Sequence, residues 1–168
     1  VLAAICLSDK RLMWSPFRDI VDAMLGNKNV VCIFTECDVW HTTAEEPIDF
    51  CGNIGNCLKG GGAVDGLQVL RADSISKERY EALIQIPQEY GGCKDCRYWC
   101  ICKAGCPGEG MNNDWRNRTR FCGGWKQLFT YVENYLKGIL PNVTLVMDGA
   151  VNSQEAVKNI LNGSSYQS

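Results

Sequence analysis

Gly91-Gly92-Cys93-Lys94-Asp95-Cys96-Arg97-Tyr98-Trp99-Cys100-Ile101-Cys102-Lys103-Ala104-Gly105-Cys106-Pro107 is the stretch on which the reading of this chain turns. Neither a two-residue nor a 3.6-residue apolar period runs through it or on towards Gly123, so regular structure is not expected to organise it. The thiols are the other candidate. They recur as Cys93-x2-Cys96-x5-Cys102-x3-Cys106, and Cys122 follows after fifteen intervening residues. Closely spaced thiolates with one distant partner suit a metal cluster or a zinc ion, because near ligands cover one side and a remote segment closes the other. Disulfide pairing gives no reason to crowd Cys100, Cys102 and Cys106 together.

The rest of the composition narrows the choice. The chain has 168 residues, of which 11 are cysteine, with 46% hydrophobic and 21% charged content. That is enough for one domain with a core, or for two small lobes. Three sequons, at Asn117, Asn142 and Asn162, superficially agree with an oxidised secreted protein, but the odd number of cysteines and their spacing favour metal. A net charge of -2 leaves no basic stripe, so no nucleic-acid partner is expected. Val1 to Leu7 is too short an apolar run to span a membrane and lacks the charged start of a signal peptide. The reading is therefore cytoplasmic, with no membrane partner. A chain beginning at Val1 is expected to continue a longer polypeptide.

Working outward, Ser15-Pro16 reads as a helix cap with proline at the first helical position, and Ile20, Val21, Met24 and Leu25 form an apolar face that stops at Gly26. Val30 to Phe34 reads as a strand. A Gly- and Asn-rich run from Cys51 to Gly62 leads to a hairpin over 63–70 turning at Asp65-Gly66. A helix is expected from Lys77 to Ile86, ended by Pro87. Trp125, Leu128, Phe129, Val132, Tyr135 and Leu136 lie on one face of another, ending near Gly138. Asn142 to Met147 reads as a strand, and Ser153 as the cap of a last helix. The expected class is α+β: a small β-hairpin, short helices and irregular cysteine-rich loops.

At this point the sequence resembles the SPASM domain, the auxiliary iron-sulfur domain of radical S-adenosylmethionine enzymes that modify peptides and proteins. The likeness covers roughly Ser15 to Leu136. The family's Cys-x2-Cys-x5-Cys-x3-Cys run and later cysteine are matched by Cys93, Cys96, Cys102, Cys106 and Cys122, and Gly105-Cys106-Pro107 matches its Gly-Cys-Pro segment. Among its members the chain is similar to the anaerobic sulfatase-maturing enzymes, whose upstream half has the spacing of Cys51, Cys57 and Asp65-Gly66. The resemblance implies two 4Fe-4S clusters. One would be held by Cys93, Cys96, Cys102 and Cys122, and the other by Cys51, Cys57 and Cys106. It divides the chain into a lead-in over 1–50, the cluster domain over 51–136 and a strand and helix extension over 137–168.

Two departures qualify this. Where the family places the fourth ligand of the first cluster, this chain has Arg71, a poor ligand because it stays protonated. Cys37, His41, Cys100 and Asp73 are candidate replacements. Nor does the chain hold the Cys-x3-Cys-x2-Cys loop that binds S-adenosylmethionine, since Glu109 stands where Cys102 and Cys106 would need the third cysteine. The implied radical barrel lies elsewhere, in cis or in trans, and no residue here reads as catalytic. The implied partners are a peptide or protein substrate, that barrel, and an external electron donor or acceptor. Two other classes fit the same thiols: a stand-alone iron-sulfur electron carrier or peptide-binding module, and a zinc-stabilised binding domain. Cys6, Cys32 and Cys100 read as packing thiols, His41 as a surface residue, Asp114 to Arg120 as a solvated face, and Lys94, Arg97 and Lys103 as charges that offset a cluster.

Overall fold

The computed structural model describes residues 9, 14–27, 52 and 73–149, with backbone alone over 73–78. Four α-helices lie within them: α1, Phe17–Met24; α2, Asp73–Gln85; α3, Trp99–Cys102; and α4, Cys122–Ile139. Single 3-10 turns at Gln88–Tyr90, Pro107–Glu109, Met111–Asn113 and Val146–Asp148 complete the path. None of the described helices is long and apolar enough to cross a membrane.

α1 forms where its apolar spacing places it, burying Ile20, Ala23 and Met24. Pro16 rather than Ser15 occupies the cap position, and Ser15 Oγ turns to the Asp19 carboxylate instead of capping backbone. α2 begins four residues earlier than its apolar pattern, because Asp73 and Ser74 can occupy a first turn whose N–H groups need no helical partner. α4 likewise starts at Cys122, with Gly123 and Gly124 inside its first turn. The expected strand at Asn142 to Met147 is not one. Leu145 N–H donates to the Asp148 carboxylate at 3.2 Å and Asp148 N–H to Leu145 O at 2.8 Å, which closes a 3-10 turn. No strand occurs among the described residues, where the only ladder contact is an isolated antiparallel bridge between Gly110 and Thr119. The strand over 30–34, the hairpin over 63–70 and the helix after Ser153 lie outside them.

Two apolar clusters hold these pieces together. The larger joins α1, α3 and α4 with the last turn: Ile20, Met24, Ile101, Phe129, Val132, Leu145 and Met147 are all buried in it. The smaller packs Tyr80, Leu83 and Ile84 of α2 against Cys93, Trp99 and Ala104. Tyr98 and Trp99 are neighbours in the chain yet enter different clusters, Tyr98 with its ring 5.3 Å from Phe129 and Trp99 edge-on to Tyr80 at 5.6 Å. Cys96 packs against both. The cysteine run is thus sewn between two cores by the aromatic pair within it.

A polar network closes the far side. Glu133 is buried on α4 and accepts from Tyr98 Oη at 3.1 Å, from Arg97 Nε at 3.3 Å and from Lys137 at 3.0 Å. Arg97 and Lys137 also reach Asp148, at 2.7 and 2.9 Å. Hydrogen bonds from Lys137, then Arg97, then the Leu145 N–H hold the Asp148 carboxyl down at about 2. A carboxyl depressed in the folded state adds stability that is whole above its unfolded pKa and lost as pH falls through the folded one. Between about pH 4 and pH 2, the gap in urea midpoint between the parent chain and Asp148→Asn should therefore close, read by helical circular dichroism. A gap that stays constant to pH 2 would contradict this role.

Candidate metal centre

Four thiols from three elements meet at one cavity. Cys93, Cys96, Cys102 and Cys122 line it together with Trp99, Arg118, Trp125, Lys126 and Phe129. Each is placed by its own local device. Cys93 follows the end of α2, where its N–H donates to Leu83 O at 2.6 Å and the Lys94 N–H to Ile86 O at 3.0 Å. Gly92 makes that approach possible, since a Cβ there would stand 1.9 Å from Ile86 O. A turn closed by Cys96 N–H on Cys93 O, at 3.2 Å, sets Cys96. Cys102 ends α3, and Cys122 opens α4 with its N–H on Thr119 O at 3.2 Å.

The loop between Cys102 and Cys106 is unusual in its backbone. Lys103, Ala104 and Gly105 all have positive φ, at 44°, 67° and 71°. Such conformations cost about 1–2 kcal/mol per non-glycine residue and persist only where the surroundings impose them. The surroundings here are Thr119, whose N–H donates to Ala104 O at 2.9 Å, and the guanidinium of Arg79. Thr119 is buried, and the Gly110 bridge beside it ties the Cys106 segment to the one that delivers Cys122.

None of the six described cysteines is joined in a disulfide. Burial, followed by the neighbouring Cys96 and Cys122, pushes the Cys93 thiol up to about 12, against the opposing pull of Arg79 and Arg118. Burial likewise raises Cys102 and Cys96, the latter partly offset by a backbone hydrogen bond from Tyr98. Metal binding at such thiols must displace their protons. Among the described residues, no group of three or more His, Cys, Asp or Glu side chains is positioned to hold a single metal ion. The four thiols wall the cavity without converging on one point. Its volume, ≈ 20 Å³, takes about one water, so a larger group enters only with rearrangement of the wall.

The surrounding donors fit an anionic group. Trp99 Nε1 and Arg118 Nε are buried without a hydrogen-bond partner, both on residues that wall the cavity. Arg118 is fixed by its other end, Nη1 donating to Gly92 O at 2.9 Å. Lys126 also lines the cavity and is braced by the side-chain oxygen of Gln88. Unmet buried donors are costly, and thiolate and sulfide sulfurs are acceptors that would satisfy them.

Sequence spacing thus brings together four of its seven expected ligands. Cys106 is buried but does not line this cavity, and Cys51 and Cys57 lie outside the described residues, as do Arg71, Cys37 and His41. Cys100 packs against the larger core and does not line the cavity. Of the expected charge-offsetting residues, Arg97 is instead committed to Glu133 and Asp148. Arg116 and Arg120 stay on the surface, on Asp114 and over the Phe121 ring respectively, but Arg118 turns inward. Arg79, Arg118, Lys126 and Trp99 are the residues that sequence spacing missed. A basic residue inside an apolar helical face was the one available signal for Arg79. No family model matches this chain, and neither a curated protein nor a solved structure is significantly similar to it.

Gly105→Ala tests the loop. Its Cβ would lie 2.5 Å from Thr119 Cγ2 and 2.9 Å from Thr119 Cβ, at a φ that already disfavours alanine. We expect a loss of about 2 kcal/mol or more in urea unfolding. Faster alkylation of Cys102 and Cys106 by a thiol reagent should accompany it. Unchanged stability and labelling would contradict the tight seat.

Proposed function

We propose that this chain is the auxiliary iron-sulfur portion of a radical S-adenosylmethionine enzyme that modifies a peptide or protein. The observation that carries the reading is the cavity walled by Cys93, Cys96, Cys102 and Cys122. These are the four thiols that the SPASM resemblance assigns to one cluster. Four thiols spread around a wall suit a cluster, in which each thiolate takes its own iron, better than they suit one ion. Unmet N–H donors on Trp99 and Arg118 support an anionic occupant.

When bound, a 4Fe-4S cluster supplies one-electron transfer. The chain's own residues do the rest. Cys93, Cys96, Cys102 and Cys122 would hold it, giving up their protons on loading. Trp99, Trp125 and Phe129 exclude water from the cavity wall, with the Trp125 and Phe129 rings stacked at 6.0 Å. Lys126 and Arg118 place positive charge beside the thiolates, which favours the reduced state. A second cluster on Cys51, Cys57 and Cys106, open at one iron where Arg71 replaces the fourth cysteine, belongs to the same proposal. So do the division at 51 and 136, a barrel supplied in cis or in trans to bind S-adenosylmethionine, the peptide substrate and the cytoplasmic setting.

The test is anaerobic reconstitution with iron and sulfide, followed by metal and sulfide analysis and visible absorption. The parent chain should turn brown, and Cys93→Ala should lose about one cluster's iron while keeping its helical signal. A colourless, zinc-loaded protein, or cysteines found paired in intact disulfides by non-reducing mass spectrometry, would overturn the proposal.

A further inference from the structure

Arg79 lies on α2, distant in sequence from the cysteine run, and is 3% exposed. A buried guanidinium ordinarily meets a carboxylate, since an unpaired buried charge is expensive. Among the described residues no carboxylate meets it. Nη2 donates to three backbone carbonyls, Asn117 O at 3.1 Å, Gly105 O at 3.4 Å and Ala104 O at 3.5 Å. Nε and Nη1 are buried and have no hydrogen-bond partner. Its guanidinium carbon is 5.6 Å from the ring of Tyr80. Beyond Tyr80, the ionisable groups near enough to couple to its charge once deprotonated are Cys93, Cys106 and Cys102.

The three accepting carbonyls locate its mechanical role. Ala104 and Gly105 belong to the left-handed loop that separates Cys102 from Cys106, and Asn117 to the segment that returns towards Cys122. One guanidinium nitrogen therefore joins the loop between Cys102 and Cys106 to the segment that leads to Cys122. All three contacts come from one nitrogen, so a lysine ammonium, with three donors of its own, keeps the charge and part of the clamp. The N–H groups on Nε and Nη1 are the part that the described residues do not use.

We propose that Arg79 is the internal counter-ion and positioning residue of the thiolate-bound group, clamping the Cys102 to Cys106 loop through Nη2 and balancing the negative charge of the ligated thiolates with a guanidinium whose Nε and Nη1 N–H groups are unmet. This rests on the cluster reading above. Thiolates bound to metal supply the anion that the buried cation lacks, and the cation in turn favours the more negative, reduced state. Removing its charge without removing its bulk should make reduction harder.

The test uses the full chain with Cys51→Ala and Cys57→Ala, so that the complete thiol set alone reports, and compares Arg79 with Arg79→Lys and Arg79→Met. After anaerobic reconstitution, iron and sulfide content, helical circular dichroism and the midpoint potential are measured. In Arg79→Met the reduction equilibrium should fall at least about tenfold, which for one electron is about 59 mV towards more negative potential. Arg79→Lys should stay within about threefold of the parent. Should Arg79→Met keep its helical signal but load no iron, full loading of Arg79→Lys still carries the proposal, and failure of both variants to load overturns it. An iron-loaded Arg79→Met with the parent's potential, or an Arg79→Lys displaced as far as Arg79→Met, overturns it as well. A parent chain that takes up no iron sinks the cluster reading and this inference together, and that is seen before any Arg79 variant is examined.

Discussion

Tyr98 and Trp99 stand side by side in the chain, and their rings are buried in two different apolar clusters. Successive side chains on a helix diverge by about 100°, so one short turn can anchor two cores only if both faces of that turn are covered. The consequence is a cysteine run pinned from both sides. Phe129 and Ile101 close one side and Tyr80 and Leu83 the other, and Cys96 touches both. The thiols owe their high pKa to this burial. If either cluster were lost, the four thiols would no longer share a wall.

That arrangement explains where the polar groups are placed. Glu133, Arg97, Lys137 and Asp148 form a partly exposed network on the far side of Tyr98, which satisfies its hydroxyl and fastens the last turn to α4. Exposed ion pairs contribute little each, and here their service is geometric. Arg79, Arg118 and Lys126 lie on the thiol side instead. Among the described residues, Arg97 and Lys137 meet carboxylates, whereas the buried Arg79 and the half-buried Arg118 and Lys126 do not.

Much of this was legible along the chain, although unevenly. The apolar faces of α1 and α4 name Ile20, Met24, Phe129, Val132 and Leu136 correctly as buried. The starts of α2 and α4 shift because first turns need no apolar face and no helical partner for their N–H groups. Asn142 to Met147 has the composition of a strand, but a strand needs a neighbour for its ladder. Instead, Leu145 and Asp148 satisfy each other in a turn that buries Leu145 and Met147. Arg97 shows the limit for charges, since proximity to Cys96 in sequence says nothing about the direction of a long side chain.

By itself the sequence determined the spacing of the thiols, the likeness that their spacing carries, and the apolar periodicity of the helices, because these are one-dimensional patterns. Only the tertiary structure decided that Cys93, Cys96, Cys102 and Cys122 share one wall while Cys100 and Cys106 do not. It alone brought Arg79 from α2 and Arg118 from a surface-like run to the thiols. The reason is physical: burial and counter-charge depend on which distant segments the two cores press together, and that pressing is a property of packed volume rather than of order along the chain.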